Sequence, residues 1–452
     1  MTMVGNLIAT ALLAAGFAAV GETAMGRRSR DLVSWNESFL AGLGIAAALL
    51  FPLSLLLPEN ALPAEAALLA AGLLVRATRG LSGDRKARAT RAGRAGWNLL
   101  DASLFLAIVL VAAAFTAVDL RYTLLWDGFQ IWASKSQLLY VQGGLGSSWY
   151  PGDSYELRHL AYPAAVSLFQ ALLALLRGGF DFDAFKPVFL PLYYSTLFGT
   201  FAAARSLTTR RTALAATLVL ALAPEVTAGH AFGGYADMPQ AAFVAGVASA
   251  SLRGDGGRRA LPWLIGGLTT VKSEGIVLAA AACAAVVLSR VLETPRPRRL
   301  GDFPVSAVAI VASFFGLRFA FLRWVGAPDT VYALDAAHLA RAVRLVPHVA
   351  RMCLVKALSP RRWGPFWLAF AAAGLTVALR GSPREKGLVA AIVASAATFA
   401  AIFLFTTWPL DLHIDQAYPR LLAQLAPAAA VVLALGYARA RGAAAESPDP
   451  RR

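Results

Sequence analysis

Charge is scarce in this chain, and so are the residues that build metal centres and disulfides. Only 15% of its 452 residues are charged, whereas soluble domains run near a quarter. Two cysteines, Cys283 and Cys353, are too few for a disulfide framework. Cys283 lies in an Ala/Val run and reads as a small core residue. No zinc-ligand spacing, P-loop or Gly-x-Ser-x-Gly elbow occurs, which removes the commonest sequence signatures of metal, nucleotide and hydrolase sites. There is no internal repeat, no soluble domain, and no cytoplasmic segment large enough to hold a nucleotide. A cleavable signal peptide is also missing: Met1 to Gly21 has no basic flank, and Arg27, Arg28 and Arg30 follow the apolar run. That order fits an anchor whose N-terminus lies outside.

What remains is apolar. The chain is 58% hydrophobic with a mean hydropathy of +0.59. Its continuous runs exclude a β-barrel, whose strands alternate, and predict an all-α polytopic membrane protein. The spans are expected near 4–21, 39–57, 62–76, 99–118, 187–204, 212–226, 238–252, 260–271, 275–290, 303–322, 363–379, 387–408 and 420–438, a bundle of 11–13 crossings. Residues 1–440 then form one transmembrane domain, with N-terminal helices in 1–98, a core in 99–438 and outer loops at 119–186 and 323–362. The tail 441–452 reads as disordered.

The net charge of +16 does not mark a nucleic-acid partner. The cations sit in short clusters between spans: Arg27/Arg28/Arg30, Arg76–Arg94, Arg205/Arg210/Arg211, Arg253/Arg258/Arg259, Arg290–Arg299, Arg380–Lys386 and Arg439/Arg441. This is the positive-inside pattern. All share one side only if one of the runs 160–176 and 187–204 fails to cross; the first, bounded by Tyr162-Pro163 and Gly-Gly-Phe-Asp-Phe-Asp, is the better candidate and reads as re-entrant or juxtamembrane. The other side then collects Asp127, Asp153, Glu156, Asp181, Asp183, Glu225, Asp237, Glu274, Asp411 and Asp415. Carboxylates gathered at one face of a membrane protein point to a site there.

Two segments read as interfacial. In Trp126–Tyr140, Trp126, Phe129, Trp132 and Leu139 share one helical side, and Asp127, Gln130, Ser134 and Lys135 the other. In 336–358, Arg341, Arg344, His348 and Arg351 make a basic stripe beside an apolar one of Leu339, Val343, Val346 and Ala350, with Pro347 expected to kink or split the helix. Cations on the outer face run against the positive-inside trend. Either a lipid phosphate substrate or plain anionic headgroups would account for them.

Five ordered stretches resemble one family: WDGFQIWASKSQLLY (126–140), RHLAYPAAVSLFQALL (158–173), GYADMPQAAF (234–243), TTVKSEGIVLA (269–279) and HIDQAYPRLLAQLAP (413–427). Together they resemble the GT-C membrane glycosyltransferases, in the branch of lipid A aminoarabinose transferases, protein mannosyltransferases and lipopolysaccharide galacturonosyltransferases. The resemblance covers about 99–438. Two features depart from it. The first loop carries a single acid, Asp127-Gly128, where the family often has a pair, and Ala164 stands where a Tyr-Pro-Pro-Leu motif has its second proline.

The resemblance implies a GT-C-like fold, a polyprenyl-phosphate-linked sugar as donor, and inverting transfer on the extracytoplasmic face to a lipid, glycan or protein acceptor. It makes Asp127 the base that deprotonates the acceptor, with Asp237 orienting the acceptor or assisting the base. It implies no definite cofactor and leaves open a divalent cation at Asp127 and Asp237, as some members bind one. Lys272 and Arg420 would hold the donor phosphate, Arg420 in bidentate fashion. Lys135, Tyr162, Glu274, His413, Arg341 and Arg344 are further substrate-binding candidates, and His159 a weaker one. Bland readings stand beside these: Asp127 and Asp237 as helix caps, Lys272 and Glu274 as a mutual pair, and Arg420 as a snorkelling cation. A transporter or flippase, and a surface-polysaccharide ligase or polymerase, are the rival functions. The Ala-, Arg- and Gly-rich composition fits a GC-rich bacterium, and hence its inner membrane.

Overall fold

In the computed structural model of the protein, the described residues are 2–29, 31–82, 97–145, 159–229, 233–293, 305–326, 332 and 336–442. Asp153, Glu156, Arg30, the basic residues within 83–96 and 294–304, and the tail from 443 onward lie outside them. The described residues are helical, with no strand beyond an isolated bridge of Tyr332 with Thr406. The helices are α1 (Met3–Ala24), α2 (Leu32–Leu56), α3 (Ala61–Ser82), α4 (Leu99–Asp119), α5 (Ser134–Gln142), α6 (Ala165–Arg177), α7 (Phe189–Arg205), α8 (Arg210–Leu222) and α9 (Asp237–Leu252). They continue as α10 (Leu261–Leu268), α11 (Gly275–Glu293), α12 (Val305–Val325), α13 (Ala336–Ala357), α14 (Pro360–Trp363), α15 (Phe366–Arg380), α16 (Pro383–Ile402) and α17 (Leu410–Ala440).

Local signals start several of these helices. Asp31 and Ser34 form a capping box at α2, Asn98 caps α4 through the Asp101 amide, and Ser382 with Glu385 boxes α16. Small residues then let helices approach. A Cβ on Gly21 or Gly42 would lie 2.0 or 1.8 Å from a carbonyl oxygen of the facing helix, so α1 and α2 cross backbone to backbone.

Eight helices among the described residues are long and apolar enough to cross a membrane, or nine if one bent pair counts as a span. This is fewer than the 11–13 expected. The missing crossings exist as helices at the expected places, but α8, α9, α10 and α15 run only 13, 16, 8 and 15 residues. Helix α9 is almost wholly buried against other helices, so protein rather than lipid sets its length. The expected non-crossing segment is α6, which bends by 116° into the helix that follows, the geometry of a re-entrant loop or broken span.

Several of the basic segments meet at one end of the bundle. Arg27 and Arg253 both pair with Glu37, Arg27 at 2.6 Å. Arg259 donates to the Gly26 carbonyl, Arg384 pairs with Glu293 at 2.8 Å, and Arg439 pairs with Glu385 at 2.7 Å. Helix α17, largely buried, runs from that end to the opposite one, where Arg420 meets the acids.

The two interfacial expectations are altered. Gly128–Ala133 is a π-helix running into α5, and burial divides both expected sides: Trp132 and Leu139 are buried with Ser134 and Lys135, while Trp126, Phe129 and Gln130 are exposed. Internal partners explain this, since Ser136 meets Gln170 at 2.6 Å and Lys135 reaches two carbonyls. Helix α13 continues through Pro347 rather than splitting there.

Candidate functional site

Four stretches far apart in sequence are stitched together before any charge is considered. The Leu125 amide donates to the Gly233 carbonyl at 3.0 Å, tying the Asp127 turn to the loop that opens α9. A Cβ on Gly128 would sit 2.0 Å from the same carbonyl oxygen, so only glycine fits beside Asp127. Gln240 of α9 donates to the Leu268 carbonyl, and the Ala165 amide donates to the Thr270 carbonyl. These bonds hold the turn between α10 and α11 against α9 and α6.

Five charged side chains converge on this frame. Arg420 Nη2 donates to Asp127 Oδ2 at 2.6 Å, and its Nε donates to Asp237 Oδ2 at 3.0 Å. Lys272 Nζ donates to Asp237 Oδ1 at 2.9 Å and lies 3.1 Å from Glu274 Oε1. Gln424, one turn beyond Arg420, donates to Asp237 Oδ1 at 2.8 Å. The guanidinium also lies over the Tyr235 ring, 4.5 Å from its centre. Two cations thus face three carboxylates. Burial alone would lower the Lys272 pKa, but Asp237 and Glu274 outweigh it and raise it above the ordinary lysine value.

The two acids differ in freedom. Asp237 is buried, and both its oxygens are engaged. Asp127 keeps 30% of its side chain exposed and is held by Arg420 through one carboxylate oxygen. The Asp127 side chain makes no cap bond to the helix it precedes, and the N-cap position of α9 is Ala236 rather than Asp237. Asp127 precedes a π-helix, and a second π-helix, Glu225–Gly229, places Glu225 on a water-sized cavity of about 10 Å³ shared with Asp237 and Arg420. Arg420 stands between Asp127 and Asp237, the pair the resemblance offers to a divalent cation. Among the described residues no three His, Cys, Asp or Glu side chains gather as ligands. In this arrangement the two acids are joined by a guanidinium bridge.

The other candidates are distributed around this cluster. The Tyr162 hydroxyl is pushed well above the usual tyrosine range, first by burial and then by Glu274, with Tyr332, Arg420 and Asp127 also acting on it. Lys135 lies behind Tyr162: its buried ammonium donates to the Tyr162 carbonyl at 2.7 Å and to the His159 carbonyl at 3.2 Å. Burial, with Arg318 nearby, pushes the Lys135 pKa well below the usual lysine range. Lys135 so pins the turn at His159, which has a φ of 45°. His413 is set in an aromatic group with Tyr332, Phe403 and Trp408, and its Nδ1 lies 2.6 Å from Thr406 Oγ1. Arg341 and Arg344 are exposed on α13.

Sequence reasoning missed four neighbours. Gln424 was legible only as the i+4 companion of Arg420. Tyr235 adjoins the Asp237 motif. Arg362 bridges Glu225 and Asp415, at 3.4 Å from each. Arg318 had the clearest signal, a buried cation within the apolar span α12. Its Nη2 donates to Ser273 Oγ at 3.2 Å, beside Lys272. It also lines an apolar recess with Phe51, Pro163, Thr270, Leu317 and Phe321.

Comparison of the chain with protein-family models, with curated proteins and with solved structures gives no match.

Proposed function

We propose that this protein is a GT-C-type inverting glycosyltransferase that moves a sugar from a polyprenyl-phosphate donor to an acceptor. The observation that carries the reading is the convergence of Asp127, Asp237, Lys272, Glu274 and Arg420, from four separate stretches, into one ion-paired cluster at one end of an apolar bundle. The basic segments at the opposite end support placing the cluster on the extracytoplasmic side of a bacterial inner membrane.

In this reading the acceptor hydroxyl or amine attacks the sugar C1. The bond from C1 to the phosphate oxygen breaks, the acceptor proton passes to the Asp127 carboxylate, and polyprenyl phosphate leaves with an added negative charge. Arg420 and Lys272 stabilise that charge where it develops. Because Arg420 is shared with Asp127, an arriving phosphate competes for the guanidinium and loosens its hold on Asp127. The base is thereby freed as the donor is seated. Asp237 positions Arg420, Lys272 and Gln424. The recess beside Arg318 suits the first part of an apolar lipid chain, with the Arg318 guanidinium turned toward the phosphate side. This adds a cation that the cluster, with its excess of carboxylate, needs.

The test is donor consumption in proteoliposomes, using a panel of polyprenyl-phosphate sugars and comparing wild type with Asp127→Asn. Free polyprenyl phosphate from the wild type alone is the expected result. Equal turnover by both would remove Asp127 as the base. Lipid crossing the bilayer with no donor consumed would replace the transferase reading by a flippase.

A further inference from the structure

Helix α13 has three distinct faces. The first is a narrow stripe that packs on the protein: Ala342, Val349 and Cys353 are buried, against the 403–405 turn, α16 and α17. The second is apolar yet open, with Leu339, Val343, Val346 and Leu354 exposed by 60%, 72%, 49% and 59%. The third is basic, with Arg341, Arg344, His348 and Arg351 all exposed. At about 100° per residue, the apolar face lies roughly 80° to one side of the docked stripe and the basic face roughly 140° to the other.

We propose that the basic face of α13 is a docking surface for the phosphates of anionic lipid headgroups. The surface belongs to the leaflet that surrounds the Asp127–Arg420 end of the bundle. A helix in water would not leave four large apolar side chains open along one line. Lying in the membrane interface, it sinks that face among acyl chains and carries the basic face to headgroup level. The helix is fixed at the site end of the molecule. Lys356 pairs with Asp415, His348 Nε2 lies 2.6 Å from Asp411 Oδ1, and Arg362 just beyond joins Asp415 to Glu225, which shares a cavity with Asp237 and Arg420.

Charge complementarity selects the occupant. Among the described residues no carboxylate pairs with Arg341, Arg344 or Arg351, whereas at the opposite end Arg27, Arg253, Arg384 and Arg439 all have one. Guanidinium groups arrayed at headgroup depth meet phosphate oxygens as their natural acceptors. The inference does not depend on which reaction the site performs.

The experiment is native mass spectrometry of full-length protein drawn from vesicles of equal phosphatidylglycerol and phosphatidylcholine, with and without excess inorganic phosphate. The wild type should retain phosphatidylglycerol preferentially. The combined variant Arg341→Gln, Arg344→Gln, Arg351→Gln should lose that preference, by roughly fivefold for each arginine removed. The corresponding triple lysine variant should keep most of it, which separates lost charge from lost folding. Unchanged selectivity in the glutamine variant would overturn the proposal, as would equal retention of both lipids by the wild type. Displacement of the lipid by inorganic phosphate would also overturn it, because the stripe would then be a site for soluble anions.

Discussion

Two buried carboxylates, one at each end of the bundle, are clamped by two cations apiece and yet differ in what they can do. Glu37 of α2 is held by Arg27 and Arg253 and is fully buried. Asp237 of α9 is held by Arg420 and Lys272, with Gln424 completing its shell. At the Glu37 end the arginines finish on Glu37 or on nearby carbonyls, so the assembly joins α1, α2 and the turn after α9. At the Asp237 end the chain of charges goes on: Arg420 reaches the partly exposed Asp127, and Lys272 reaches Glu274. A closed pair fixes helices. An open-ended one can exchange a partner for a substrate group, because one of its bonds faces space rather than protein. The comparison also shows why counting buried ion pairs says little about function, since desolvation makes most of them nearly neutral in stability.

Substitutions at the two ends should therefore separate activity from stability. The largest effect is expected for Asp127→Asn, which should lower sugar transfer by about 10²–10⁴-fold, the usual share of a general base, with thermal unfolding nearly unchanged. Equal loss of stability would make the open end another structural lock. Arg420→Lys should follow, with transfer reduced by ~10²–10³-fold, because an ammonium is a point charge and lacks the planar fork that spans two acids. Steady-state kinetics on a defined donor check both variants. Glu37→Ala should do the reverse. Leaving Arg27 and Arg253 without their carboxylate is expected to cost roughly 3–5 kcal/mol, visible as a lower unfolding midpoint in detergent, while turnover per folded molecule stays near wild type.

Two finer tests address how the open end is built. Gly128→Ala forces a methyl against the Gly233 carbonyl, and overpacking of this kind costs about 1–3 kcal/mol. Transfer should drop along with stability, because the shift moves Asp127. A variant that kept full activity would show that the 125–128 turn does not position the acid. The smallest effect concerns alkaline pH. The raised Lys272 pKa means that the stability from its pairing is fully present below the ordinary lysine value of 10.5 and is lost only as pH rises through the higher folded value. The unfolding midpoint of the wild type relative to Lys272→Met should hold steady from neutral pH up to that value. A decline beginning near pH 8 would contradict the pairing with Asp237 and Glu274.

Particular elements show how much of this was legible in the chain. Asp127, Asp237, Lys272, Glu274 and Arg420 stood out because each interrupts or borders an apolar run, where an ionisable group is expensive. Lys135 stood out through the resemblance and its place on an expected polar side, yet it turned inward to carry the His159 turn. Its direction depends on the His159 and Tyr162 carbonyls that face it, partners that helical periodicity does not reveal. Gln424 and Tyr235 carried too weak a signal, being ordinary residues whose roles come from what faces them. The length of each helix was hardest to judge. Apolar content marked where α8, α9 and α10 lie, but burial against other helices removed the need for each to match the bilayer.

The sequence by itself determined an all-helical, multi-pass chain with its cations clustered between spans. Hydropathy and charge are properties of each segment and act on it one at a time. Only the tertiary structure decided that Arg420 would stand between Asp127 and Asp237, that Lys135 would face the interior, and that α13 would keep one face on the protein and two open. Those outcomes depend on distances between segments up to 293 positions apart, which packing alone can set.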